Sequence, residues 1–280
     1  MRLGGPLFTS YSDPEQWIKE LKNLGYGAAY CPVTVDDEDV VIEDYVKAAY
    51  SADIVIAEVG AWSNPLSADE TERRAAIKKC QEQLALAERI GARCCVNISG
   101  SRGEQWDGPH PDNFTPETFD MIVDTVREII DAVKPTRTFY TLEPMPWMYP
   151  DSADSYLDLI KAIDRKSFAV HFDPVNLICS PQRYFNNGAF IRDFIDKLGP
   201  YIKSCHAKDI ILSGQLTTHL DEVLPGCGNL DYVTLLGHLD ALDADMPLMI
   251  EHLSSEQERD MAAAYIRSKA REAGVELKFQ

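Results

Sequence analysis

Glu143, Asp173, His206 and Glu251 put three carboxylates and one imidazole at the ends of four short apolar runs. They lie 30, 33 and 45 residues apart, and each interval fits one β/α repeat. An oxygen-rich set with a single nitrogen suits a divalent cation. Mn²⁺ is the first choice, Mg²⁺ and Co²⁺ are close behind, and Zn²⁺ is also compatible. Four protein ligands leave positions open on an octahedral ion. A substrate carbonyl and its neighbouring hydroxyl fill such positions, and the ion then stabilises an enediolate as a proton leaves the adjacent carbon. Any one carboxylate at a strand end also reads as a helix N-cap. Four such residues on four consecutive strands are harder to explain that way.

The elements that must position them alternate. Strands are expected at Arg2–Gly4, Ala28–Cys31, Ile54–Glu58, Arg93–Ile98, Phe139–Glu143, Phe168–Asp173, Ile202–His206 and Leu248–Glu251. Helical patterns follow each of them. Asp13-Pro-Glu opens the first, with Asp13 as N-cap and Pro14 at the first helical position. The later ones cover Asp36–Ala52, Ala68–Ile90, Thr115–Val133, Ser152–Ile163, Gly188–Leu198, Asp231–Leu242 and Ser255–Ala273. Eight β/α units in this order predict a single-domain (β/α)8 barrel spanning residues 1–280, an α/β fold whose strand ends converge on one mouth. Three strand-to-helix connections are long: Ser99–Phe114, Pro174–Asn187 and Ala207–Leu230. Long connections on that face are where a barrel builds its site.

Bulk properties narrow the partners. The net charge of −18 argues against nucleic acid and against anionic membrane surfaces. No apolar run reaches the roughly 20 residues a membrane helix needs, and the first residues lack a signal-peptide core. The seven cysteines show no C-x-x-C spacing, which reads as reduced thiols and a cytoplasmic location.

With these motifs in view, the chain resembles the xylose-isomerase-like barrel superfamily, especially the sugar isomerases and epimerases related to tagatose 3-epimerase. The resemblance rests on the Glu143 of Leu-Glu-Pro, the Asp173 of His-Phe-Asp-Pro, the His206 of His-Ala-Lys-Asp, the Pro225–Gly228 turn and the late Glu251 of Ile-Glu-His. It implies a metal-dependent carbohydrate isomerase or epimerase. Glu143 and Glu251 would face opposite sides of the reacting carbon and exchange its proton, and Asp173 and His206 would complete the metal site. It further implies a small-molecule sugar substrate and a dimer or tetramer of identical chains, with a hetero-oligomer also compatible.

Two positions depart from the epimerase pattern. Asn176 stands where those enzymes have a histidine. Lys208 and Asp209 follow His206 where they have an arginine nearby. These departures raise a lyase alternative that expels a leaving group from the β-carbon, as inosose dehydratases and subunits cleaving 3-keto C-glycosides do. An endonuclease IV-like nuclease fits poorly, because it needs more histidines and tolerates the acidic charge badly. A sugar-binding barrel without activity is the remaining reading.

Around the four ligands, several residues are candidate substrate contacts. Lys208 either stabilises an oxyanion or pairs with Asp209 or another acid. His171 either orients a ligand from one layer below or is a satisfied core histidine. Asn176 contacts hydroxyls or caps a turn. Trp62, Trp106 and Trp147 follow strands three, four and five and suit the apolar face of a sugar, and Asn97 is a further hydroxyl contact. His252 is expected to face the helix layer and is given no role.

Overall fold

A computed structural model of the chain describes residues 1–279. In chain order the elements are β1 (Arg2–Gly4), α1 (Pro14–Asn23), β2 (Ala28–Tyr30), α2 (Asp39–Ser51), β3 (Val55–Gly60), α3 (Glu70–Ile90), β4 (Cys94–Asn97), α4 (Pro116–Val133), β5 (Tyr140–Leu142) and α5 (Ala153–Ile163). They continue with β6 (Phe168–Phe172), the short α6 (Pro174–Leu177) and α7 (Pro181–Phe185), α8 (Asn187–Leu198), β7 (Ile202–Ala207), β8 (Asp209–Ser213), β9 (His219–Val223), α9 (Tyr232–Leu242), β10 (Pro247–Ile250) and α10 (Glu256–Ala273).

Helix starts follow from local chemistry. Asp13 accepts the backbone N–H of Gln16 ahead of Pro14. Thr115, Ser152, Asp231 and Ser255 accept the corresponding amides of their own helices. Each thereby satisfies one of the backbone donors that a helix start leaves unpaired.

Eight strands form one parallel sheet in the order β1-β10-β7-β6-β5-β4-β3-β2. The two end strands do not share a ladder. They are drawn together where Gly27 N–H donates to the Leu3 carbonyl at 2.9 Å, so the barrel is nearly closed. Gly4 is required at this seam. A Cβ there would lie 2.5 Å from the Ala28 carbonyl oxygen and 2.7 Å from Met249 Sδ. Most of the apolar core lies between the strands and the surrounding helices. Ala28, Ala57 and Met249 form a separate small cluster, with Tyr30 packed against it. Among the described residues no helix is long and apolar enough to cross a membrane.

Two connections are more ordered than the sequence suggests. The stretch Ala207–Leu230 is not an open loop but carries the antiparallel hairpin β8–β9. The stretch after Asp173 folds into α6 and α7. The hairpin strands are five residues each and largely polar on β9, so they carry no strong period-2 signal.

Candidate metal centre

Glu143, Asp173 and Glu251 each immediately follow a barrel strand, and His206 is the penultimate residue of β7. The order β5, β6, β7, β10 makes these strands neighbours, so the four side chains meet at one mouth. One ligand atom from each lies within 4.8 Å of the others. His206 Nδ1 is 2.9 Å from Glu251 Oε1, 3.3 Å from Glu143 Oε1 and 3.8 Å from Asp173 Oδ2. Asp173 divides its oxygens between two tasks. Oδ1 accepts the N–H groups of Val175 and Asn176 and caps α6, while Oδ2 turns toward the cluster.

Asp173 Oδ2 and Glu251 Oε1 are buried and have no hydrogen bond of acceptable geometry. Holding buried carboxylate oxygens by ion pairs alone, without a well-directed hydrogen bond, is costly. A divalent cation at this locus answers that cost, and three carboxylates with one imidazole are its usual hard-ion donors. The residues therefore fit a metal.

Lys208 already brings positive charge there. Its side chain is 3% exposed, and the ammonium lies 2.6 Å from Glu251 Oε1 and 2.9 Å from Asp173 Oδ2. Burial pushes the Asp173 carboxyl up, but the Lys208 ammonium and the His206 ring overcome this and hold it well below its usual range. Glu251 is likewise opposed by burial and brought down to about 2, chiefly by His206. For Glu143 burial prevails, and its carboxyl is raised despite the pull of His206. Burial lowers the His206 imidazole, yet Glu251, Glu58 and Glu143 outweigh it and hold the ring protonated well above its ordinary range.

A second buried group supports His206 from below. Glu58, in β3, meets His206 Nε2 at 3.2 Å and His171 Nε2 at 2.9 Å, and also accepts the Ser204 hydroxyl. His206 thus presents Nδ1 to the mouth and Nε2 to a carboxylate. This is the arrangement that fixes the orientation of a metal-binding imidazole. His171 is fully buried in this layer, with its ring 4.1 Å from that of His206, and does not line the mouth.

The chain matches the xylose isomerase-like TIM barrel family over residues 18–271. It belongs to that family. No curated protein sequence matches it. Among solved structures, D-psicose 3-epimerase with D-tagatose from Clostridium cellulolyticum H10 superposes with a TM-score of 0.70 at 16% identity, covering 98% of this chain and 100% of that one. A probable 3-DHS dehydratase from Bacillus anthracis gives a TM-score of 0.69 at 14% identity, with coverage of 95% and 97%. A xylose isomerase-like TIM barrel protein from Mycobacterium smegmatis in complex with magnesium gives 0.65 at 16% identity, with coverage of 94% and 90%. At such identities these likenesses show the shared fold.

Beside Glu143, His206 and Glu251 this xylose isomerase-like barrel opens a cavity of about 740 Å³. Trp62, Trp106, Trp147, Asn176 and Lys208 all line it, beside Glu143, His206 and Glu251. Asn176 Nδ2 donates to Glu143 Oε1 at 3.0 Å, and its Oδ1 lies 3.4 Å from the Lys208 ammonium. Asn97 lies elsewhere. Its fully buried carboxamide bonds the Ser63 backbone and the Cys80 thiol, and so ties down the loop after β3. Asp209 is not the partner of Lys208. It accepts the amides of Ile210, Gly226, Gly228 and Leu230, which pins the Pro225–Gly228 turn. A Cβ at Gly228 would lie 2.3 Å from Asp209 Oδ1, so the turn needs glycine there.

Three residues given no part in the site by the sequence belong to it. Glu58 supports His206. Glu222, on β9, reaches the cavity within 3.5 Å of Lys208. His252 also lines the cavity and bonds Glu222 at 2.9 Å, instead of facing the helix layer. Its φ of 55° is left-handed, so the strand alternation used to place it does not continue past Glu251.

Proposed function

We propose that this protein is a divalent-metal-dependent carbohydrate isomerase or epimerase that moves a proton on the carbon next to a carbonyl. The observation that carries this reading is the convergence of Glu143, Asp173, His206 and Glu251, with the two glutamates and the histidine lining a tryptophan-walled cavity. Glu143, Asp173, His206 and Glu251 would hold the cation. When bound, it supplies positive charge beside the substrate carbonyl oxygen and so favours loss of the adjacent proton.

The two glutamates come from β5 and β10, with β6 and β7 between them. In this reading they approach a bound carbon from different sides. One glutamate takes the proton as a carboxylate and the other returns a proton as a carboxylic acid. The roles exchange in the reverse direction. Asn176, bonded to Glu143, fixes that carboxyl's orientation. The tryptophans cover the apolar face of the sugar and exclude water.

A lyase is the second reading, supported by one observation. Lys208 places a buried ammonium beside both the acid cluster and the cavity, where it can protonate a departing oxygen. The fold likeness to a 3-DHS dehydratase is in line with it. Incubating the Mn²⁺-loaded protein with ketoses and keto-glycosides in D₂O separates the two. Deuterium at the α-carbon with the carbon skeleton and oxygens retained supports isomerisation or epimerisation. Release of water or an aglycone favours the lyase. Turnover left unchanged in Glu143→Gln defeats both.

A further inference from the structure

The Lys208 ammonium lies where the metal ligands converge. Its nearest oxygens, Glu251 Oε1 and Asp173 Oδ2, are the same atoms that face His206 Nδ1, and Glu143 Oε1 is 3.9 Å away. An ammonium and a divalent cation cannot both take these oxygens, because like charges at such separations repel strongly in a buried setting. Lys208 therefore needs another acceptor when the ligands are given over to a metal. Among the described residues one further acid is paired with it, Glu222, whose Oε2 is 3.5 Å from the ammonium. Glu222 is held on β9, while Lys208 stands between β7 and β8 of the same connection. Both sets of partners already lie within 3.5 Å of the ammonium, so the exchange calls for a turn of the lysine side chain. Glu222 is itself steadied by His252 Nδ1 at 2.9 Å and 3.2 Å from its two oxygens, and it faces the cavity.

We propose that Glu222 is a positioning residue. It receives the Lys208 ammonium when Asp173 and Glu251 turn to a divalent cation, and it keeps that ammonium at the cavity wall facing the substrate. The proposal rests on the metal reading above and adds a coupling between metal loading and the β8–β9 hairpin. It makes Lys208 a competitor of the metal and Glu222 the group that relieves the competition.

A double-mutant cycle on Mn²⁺ affinity, read by titration calorimetry on the full chain, tests this. Lys208→Met is expected to bind Mn²⁺ at least about tenfold more tightly than the parent, because no ammonium has to leave the ligands. Glu222→Gln is expected to weaken binding about fivefold in the parent and less than about twofold in the Lys208→Met background, since no lysine remains to be received. If Lys208→Met is unstable without metal, its affinity is read by chelator competition from Mn²⁺-loaded protein. Equal or weaker binding by Lys208→Met overturns the proposal. So does a Glu222→Gln loss of the same size in both backgrounds, which marks Glu222 as a mere distant negative charge. A parent protein that binds no Mn²⁺ instead overturns the metal reading itself.

Discussion

Glu58 shows how a single side chain governs a site it does not enter. It joins His206, His171 and Ser204 beneath the cluster, at 2% exposure. Replacing it with glutamine removes the charge that holds the His206 ring in place. Metal-ligand supports of this kind are worth about 10- to 100-fold in affinity, so Glu58→Gln is expected to weaken Mn²⁺ binding by that factor in calorimetry. Protonation makes a separate prediction. His206 is held protonated well above its ordinary range in the metal-free protein, and it must lose a proton to ligate through Nδ1. Metal binding near neutral pH is therefore expected to release protons, and affinity to rise with pH. Titrations in buffers of different ionisation enthalpy measure that release, and none at neutral pH would contradict it. The four clustered residues were legible because acids and imidazoles after apolar runs are conspicuous. Glu58 was not, since it is one acid in an otherwise apolar strand, and nothing local says that two histidines from other strands reach it. His252 was misplaced because a left-handed backbone leaves no clear trace in residue type.

At the scale of elements, the strand ends that carry the cluster are tied together by the helices behind them. Tyr156, fully buried on α5, donates toward the carbonyls of both Leu142 at 2.7 Å and His171 at 3.1 Å, just ahead of Glu143 and Asp173. Tyr156→Phe removes the one O–H that these two buried carbonyls share and is expected to cost about 1–3 kcal/mol in denaturant unfolding. It is also expected to weaken Mn²⁺ binding, because the ends of β5 and β6 lose their common tether. A change within about 0.5 kcal/mol, typical of a neutral surface substitution, would show that the tether is idle. The helix start at Asp13 was readable from cap chemistry, and the starts expected at Thr115, Ser152, Asp231 and Ser255 coincide with observed caps. The β8–β9 hairpin was not. Its strands are short, and their stability comes from pairing with one another and from the Asp209 clamp on the Pro225–Gly228 turn.

For the whole molecule, the count and order of β/α units sufficed to anticipate the barrel, because parallel strands joined by helices have few ways to close. The seam between β1 and β2 depends on contacts invisible in sequence, namely the Gly27–Leu3 bond and the room that Gly4 leaves for Ala28 and Met249. The same topology carries Glu143, Asp173, His206 and Glu251 from across more than a hundred residues of chain to within 4.8 Å. That convergence is meaningful as chemistry only if it holds an ion. Elemental analysis after dialysis against Mn²⁺ tests this most directly. The metal reading predicts one ion per chain for the parent and loss of stoichiometric metal in Asp173→Asn and in His206→Asn. A folded parent without stoichiometric metal, or variants that retain it undiminished, would contradict the reading.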